Sequence, residues 1–149
     1  MKILKYGFYL FFPLIVGSIV GMAISNYIDY NNLIKPSLSP PSIVFPIAWS
    51  IIYLLLGISY FIYRRYNNNE KLNFIYYLQL FVNAMWSIIF FIWKARLFSI
   101  FWILILLILV IYLIICFYHQ NKTSAYLNIL YIIWLLFATY LNIGIYLLN

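Results

Sequence analysis

The chain has 149 residues, of which 68% are hydrophobic and only 7% are charged. A soluble domain carries charge on about a quarter of its residues, so this composition excludes an ordinary soluble protein and predicts an integral membrane protein. The formal net charge of +7 does not indicate nucleic-acid binding. The basic residues lie singly or in pairs at the ends of apolar segments, as membrane-flanking anchors do, and form no basic stripe.

Five apolar stretches are long enough to cross a bilayer, since a helix needs about 20 apolar residues to do so. They are predicted at residues 6–26, 43–63, 73–93, 97–118 and 124–147. No stretch alternates between apolar and polar residues in the way that the strands of a membrane barrel would. The predicted fold class is an all-α membrane protein, with residues 1–149 forming a single domain of five transmembrane helices.

Five spans place the two ends of the chain on opposite sides of the membrane. Six basic residues fall on the N-terminal side, and three fall on the other, namely Lys35, Lys94 and Arg96. Because cytoplasmic loops carry the excess of Lys and Arg, the N-terminus is predicted to be cytoplasmic and the C-terminus to lie outside.

The segment from Asn26 to Pro41 is the longest break between predicted spans. It contains Pro36, Pro40 and Pro41, and each proline fixes its own φ and restricts the residue before it. A stiff loop at the mouth of a helix bundle is typical of a lid. The same residues would equally suit a plain connector.

Indole, amide and phenol side chains recur at helical spacing inside three of the spans. They are Trp49 and Tyr53 in the second, Gln79, Asn83 and Trp86 in the third, and Tyr131, Trp134, Ala138 and Asn142 in the fifth. Residues three or four positions apart project from one face of a helix, and helices that line a pocket need such faces. The predicted pocket is aromatic, apolar and neutral, which suits a flat hydrophobic ligand with a few polar groups.

Interhelical hydrogen bonding is the alternative interpretation of the intramembrane amides. It is as good an account as the pocket for Gln79, whereas for Asn83, one turn from Trp86, the pocket is favoured. No metal site is predicted, because the sequence has no cluster of His, Cys, Asp or Glu. No carboxylate lies inside a predicted span, which argues against a proton-coupled transporter of the usual kind.

Three groups of these residues resemble the translocator protein family, which includes the tryptophan-rich sensory proteins and the peripheral-type benzodiazepine receptors. They occur in order between residues 13 and 142. The first motif is Tyr30…Leu33-x-Lys35-Pro36…Pro40-Pro41, followed by Trp49-x-x-x-Tyr53-x-x-x-Gly57-x-x-Tyr60. The second is Gln79-Leu80-x-x-Asn83-x-x-Trp86-x-x-x-Phe90-Phe91, and the third is Tyr131-x-x-Trp134-x-x-Phe137-Ala138-x-x-Leu141-Asn142.

The resemblance implies a five-helix bundle, usually a homodimer, with a ligand cavity that the first loop closes. Family members bind porphyrins and other tetrapyrroles, as well as benzodiazepine and isoquinoline carboxamide drugs. Carried over to this sequence, the ligand-binding residues would be Tyr30, Pro40, Trp49, Asn83, Trp86, Trp134 and Ala138. Some bacterial members promote light-dependent breakdown of protoporphyrin IX. If that photochemistry occurs here, Trp49 and Trp134 would be its catalytic residues.

The fit to bacterial members implies a multi-pass protein of a bacterial plasma membrane. Its partners would be the lipid bilayer, a tetrapyrrole or drug-like molecule and a second copy of the chain, with no nucleic acid. No cofactor would be required, since porphyrin would be the ligand. Two alternatives stay open: a transporter of an amphipathic metabolite, and an assembly protein whose polar stripes only hold helices together.

Overall fold

The computed structural model of the protein describes residues 2–149. Its six α-helices are α1 (Lys2–Ile24), α2 (Val44–Tyr66), α3 (Glu70–Ser87), α4 (Arg96–Gln120), the short α5 (Lys122–Tyr126) and α6 (Ile129–Leu148). Five helical segments of the described chain are long and apolar enough to span a membrane, with α5 and α6 together forming the fifth. The predicted all-α fold with five transmembrane helices is confirmed.

The helices extend beyond the predicted apolar stretches where polar residues continue or cap them. α2 runs through Arg64 and Arg65 to Tyr66, because basic residues suit the negative end of a helix dipole. α3 begins at Glu70 because the side chain of Asn69 accepts a hydrogen bond from the backbone N–H of Leu72 at 3.1 Å. Hydropathy alone does not detect these ends.

The fifth span is interrupted between α5 and α6, next to the buried side chain of Asn128. The Asn128 amide donates to Ser59 Oγ on α2 at 2.6 Å and to the carbonyl oxygen of Ser124 at 2.9 Å. Ser59 and Ser124 also exchange hydrogen bonds between their hydroxyl groups and backbone carbonyls. This polar joint fixes the start of α6 against α2.

α1 and α2 approach closely at two glycines. A Cβ atom at Gly57 would collide with the backbone carbonyl oxygen of Leu10, and one at Gly17 would collide with the ring of Tyr53. Glycine therefore sets the distance between these two helices and leaves room for the Tyr53 ring against α1. Small residues allow such approaches between helices in a membrane.

α4 buries a single stripe of apolar residues against the bundle. Ile103, Leu106, Val110, Leu113 and Phe117 are each 0% exposed. Their alternating spacing of three and four residues keeps them on one helix face. The opposite face is exposed and equally apolar, as expected of a helix that faces lipid.

The loop between α1 and α2 lies against the end of α6. The Tyr140 hydroxyl donates to the carbonyl oxygen of Ser37. The Asn149 side chain accepts from the backbone N–H of Ile34 at 3.0 Å and donates to its carbonyl oxygen at 2.8 Å. Contacts with a neighbouring helix, in addition to the prolines, therefore hold the loop in place.

Candidate functional site

A cavity of about 660 Å³ lies between the helices at the end of the bundle that carries this loop. Its walls come from α1, the first loop, α2, the end of α3 and α6. A π-helical turn at Ile88–Ile92 extends α3, and Phe90 and Phe91 of this turn contribute to the lining. The volume falls within the range of about 300–1,000 Å³ that is typical of small-molecule sites.

Three indole rings from three different helices meet in the cavity wall. Trp49 of α2 lies 6.2 Å from Trp134 of α6 and 6.4 Å from Trp86 of α3, measured between ring centroids. Trp49 also stacks on Tyr53 at 5.5 Å with an interplanar angle of 26°. The structure therefore brings together the aromatic residues of the three stripes that the sequence pattern singles out.

The three indoles differ in their hydrogen bonding. Trp86 Nε1 donates to Asn142 Oδ1 at 3.0 Å, and Asn142 Nδ2 in turn donates to Ser99 Oγ on α4 at 2.9 Å. In contrast, Trp134 Nε1 is buried and has no acceptor. A buried donor without a partner costs free energy; although Trp134 lines the cavity, this N–H group is itself enclosed by protein atoms.

Asn83 lies behind the cavity wall, where its side chain is 1% exposed and does not contribute to the lining. Its Oδ1 accepts from the Tyr53 hydroxyl at 2.6 Å, and its Nδ2 donates to the Tyr131 hydroxyl at 2.6 Å. Tyr131 then donates to Gln79 Oε1 at 2.9 Å. Only Tyr53 of these four lines the cavity, so Asn83 acts on the cavity by orienting Tyr53.

Tyr30 and Ala138 line the cavity, whereas Pro40 does not. The carbonyl oxygen of Pro40 accepts a hydrogen bond from the Tyr30 hydroxyl at 2.8 Å, so Pro40 positions the Tyr30 ring. Burial raises the pKa of the Tyr30 phenol, and a smaller effect of Ser39 opposes this rise. Ala138 is 5% exposed, and its small side chain leaves the space that a Leu would fill.

Three charged side chains meet at the rim of the cavity. Arg96 Nη2 lies 3.0 Å and 2.9 Å from the two carboxylate oxygens of Asp29, and Lys94 Nζ lies 3.3 Å from one of them. Burial alone would raise the pKa of Asp29, but the hydrogen bonds and charges of Arg96 and then of Lys94 outweigh it and hold the pKa below its ordinary value. These contacts join the first loop to the turn between α3 and α4.

Sequence reasoning missed this ion-pair cluster and several wall residues. Asp29 is the only acidic residue in the first loop, so the sequence could have predicted that it pairs with a basic residue on the same side of the membrane. Gly17 and Gly21 form a Gly-x-x-x-Gly pattern, which predicts close helix packing but does not reveal that both residues line a cavity. In the structure only Gly17 of the two makes a close contact, because a Cβ atom at Gly21 would meet nothing within 4 Å. Within residues 2–149, no three His, Cys, Asp or Glu side chains come together as metal ligands would.

The fold and the site define a class: a membrane-spanning five-helix protein with an aromatic cavity inside the bundle. A model of the TspO/MBR family matches residues 9–148, and the chain belongs to this family.

Three relatives illustrate the similarity. The Tryptophan-rich protein TspO of Archaeoglobus fulgidus is 38% identical over 122 residues, which cover 80% of this chain and 79% of the relative. The Tryptophan-rich protein TspO of Bacillus cereus is 32% identical, with 80% of each chain covered. The Translocator protein homolog of Schizosaccharomyces pombe is 29% identical over 143 residues, which cover 92% of this chain and 87% of the relative.

Proposed function

We propose that this protein binds a porphyrin or related tetrapyrrole in the cavity, and that benzodiazepine- or isoquinoline-type molecules occupy the same space. The observation that carries the proposal is the meeting of Trp49, Trp86 and Trp134 around a cavity of about 660 Å³. Aromatic rings favour flat aromatic ligands through stacked and edge-to-face contacts.

Quenching of tryptophan fluorescence by protoporphyrin IX tests the binding. We expect saturable quenching in the wild type, and about a fivefold weaker affinity in Trp134→Phe because the smaller ring loses contact area with the ligand and with Trp49. Trp93→Phe is the matched control, since Trp93 is 60% exposed and does not line the cavity. Absence of saturable quenching in the wild type contradicts the proposed function, and equal affinities of the two variants contradict the role of Trp134.

Light-dependent breakdown of the bound porphyrin is the second part of the proposal. Trp49 contacts both other indoles, and indole is an oxidisable side chain that donates an electron to an excited ring or traps a reactive oxygen product. The protein would orient the ligand and exclude water, while the porphyrin supplies the photochemistry. We expect slower porphyrin bleaching under light in Trp49→Phe and Trp134→Phe than in Trp93→Phe. Equal bleaching rates exclude these indoles from the reaction.

A transporter of an amphipathic metabolite is the second candidate, and the side of the cavity between α1 and α2 favours it. Ser18, Gly21 and Ser50 line this side and are exposed, so the cavity communicates with the lipid-facing surface. Porphyrin flux into sealed liposomes would support transport. Binding without flux would leave the protein as a receptor or a degrading protein.

We further propose a homodimer in a bacterial plasma membrane, which chemical crosslinking in native membranes tests.

A further inference from the structure

We propose that Lys94 and Arg96 form a carboxylate-binding subsite at the rim of the cavity, which pairs with an acidic side chain of the bound tetrapyrrole. This inference rests on the proposed function. It assigns a role to a charge cluster that lies outside the aromatic wall.

The cluster adjoins the cavity through shared residues. Asp29 lies between Ile28 and Tyr30, both of which line the cavity. The Arg96 guanidinium lies 4.3 Å from the ring centroid of the cavity residue Phe90. Ile145 lines both the cavity and a neighbouring space of about 380 Å³, whose other lining residues are Lys94, Arg96, Leu97, Tyr146 and Asn149.

The cluster has a net charge of +1, because it contains two cations and one carboxylate. Asp29 supplies one carboxylate to the two cations Lys94 and Arg96. Arg96 Nη2 is used by Asp29, and Arg96 Nη1 is enclosed by protein atoms, so Arg96 contributes its charge while the accessible donor of the cluster is Lys94 Nζ. The Lys94 side chain is 54% exposed and can accept a second partner. An additional carboxylate would complete the pairing.

Within residues 2–149, the cavity lining contains no cation that could pair with a ligand carboxylate as Lys94 and Arg96 can. Among the residues that the structure describes, no charged one contributes to its lining, and burial of an unpaired carboxylate in such surroundings is costly. The nearby cation Lys35 is already used, since its Nζ lies within hydrogen-bond distance of the carbonyl oxygens of Tyr30, Asn31 and Leu33. An acidic amphipathic ligand therefore gains most if its ring lies among the indoles and its carboxylate lies at Lys94 and Arg96.

The test compares protoporphyrin IX with its dimethyl ester, which has the same ring but no negative charge. Dissociation constants are measured by tryptophan quenching in nanodiscs of neutral phosphatidylcholine, for the wild type, Lys94→Gln and Lys71→Gln. Lys71 is the matched control, because it is exposed and lies at the start of α3, outside both spaces. Partitioning of each compound into lipid cancels when the acid-to-ester affinity ratio is compared between variants.

We expect Lys94→Gln to lower the acid-to-ester preference about threefold, as loss of a partly exposed ion pair would, and Lys71→Gln to leave it unchanged. Asp29→Asn leaves both cations without their carboxylate partner and is expected to raise the acid-to-ester preference. A misfolded variant would not show such a gain. An unchanged ratio in Lys94→Gln, with both compounds still bound, overturns the subsite and leaves the proposed function intact. If neither compound binds to the wild type, the proposed function itself is overturned.

An anionic lipid headgroup would be recognised by the same chemistry. Repeating the titrations in nanodiscs that contain phosphatidylglycerol separates the two sources. A preference for the acid that persists in the neutral discs supports the ligand carboxylate. A Lys94 effect that appears only with phosphatidylglycerol assigns the subsite to lipid and overturns the proposal.

Discussion

Asn83 connects two tyrosine hydroxyl groups in the middle of the bundle, with both hydrogen bonds at 2.6 Å. Asn83→Leu removes both bonds. It leaves the Tyr53 hydroxyl without its acceptor, whereas the Tyr131 hydroxyl keeps its bond to Gln79 Oε1. We expect a loss of about 1–2 kcal/mol in the free energy of unfolding, measured by denaturation in mixed detergent micelles. Porphyrin affinity is expected to fall as well, because Tyr53 loses its fixed orientation beside Trp49.

Tyr53→Phe is the control for this network, since it removes one hydroxyl and keeps the ring. It is expected to weaken porphyrin binding about as much as Asn83→Leu, because both variants remove the bond that orients the ring beside Trp49. It is expected to lower stability less, because the bond between Asn83 and Tyr131 remains. If Asn83→Leu lowers stability and leaves affinity unchanged, the network only holds helices together, as the assembly interpretation of the polar stripes requires. If Asn83→Leu leaves the free energy of unfolding unchanged, the buried network does not stabilise the fold either.

The first loop is attached to the turn between α3 and α4 through Asp29, and this attachment depends on pH. The pKa of Asp29 in the folded protein is below its ordinary value, so the ionised carboxylate stabilises the attachment. The contribution is fully present above the unfolded-state pKa of about 3.9 and is lost as the pH falls through the folded-state value. Arg96 and Lys94 stay charged throughout this range.

Hydrogen exchange of the loop amides measures this effect, once rates are converted to protection factors that remove the intrinsic pH dependence. We expect protection at Asn32 and Leu33 to fall about two- to fivefold between about pH 6 and pH 3, as for a partly exposed ion pair. Asp29→Asn is expected to show low protection at both pH values. A wild-type step that persists in Asp29→Asn would exclude Asp29 as the titrating group.

At the scale of the molecule, the bilayer makes the helices predictable and the contacts between them much less so. A backbone that crosses lipid has to pair its own polar groups, and a helix does so within one segment. A long apolar stretch such as 97–118 therefore predicts a transmembrane helix directly from the sequence. The stripes containing Trp49 and Trp134 also predict a shared pocket from spacing alone. In contrast, the pairing of Asp29 with Arg96 joins residues 67 positions apart and depends on helix placement that no local pattern encodes.

The separation of α1 from α2 is the packing feature on which the whole cavity depends, because both helices contribute to its walls. Gly57→Ala places a methyl group against the Leu10 carbonyl oxygen, an atom of the backbone that cannot move without shifting α1. Overpacking of this kind costs about 1–3 kcal/mol, and we expect that loss in the free energy of unfolding in detergent micelles. Protoporphyrin IX affinity is expected to fall in parallel, because α1 moves away from Tyr53 and the cavity changes shape. Gly7→Ala is the control on α1, since an added Cβ there meets nothing within 4 Å; equal stability and affinity of the two variants would show that the cavity does not depend on this contact.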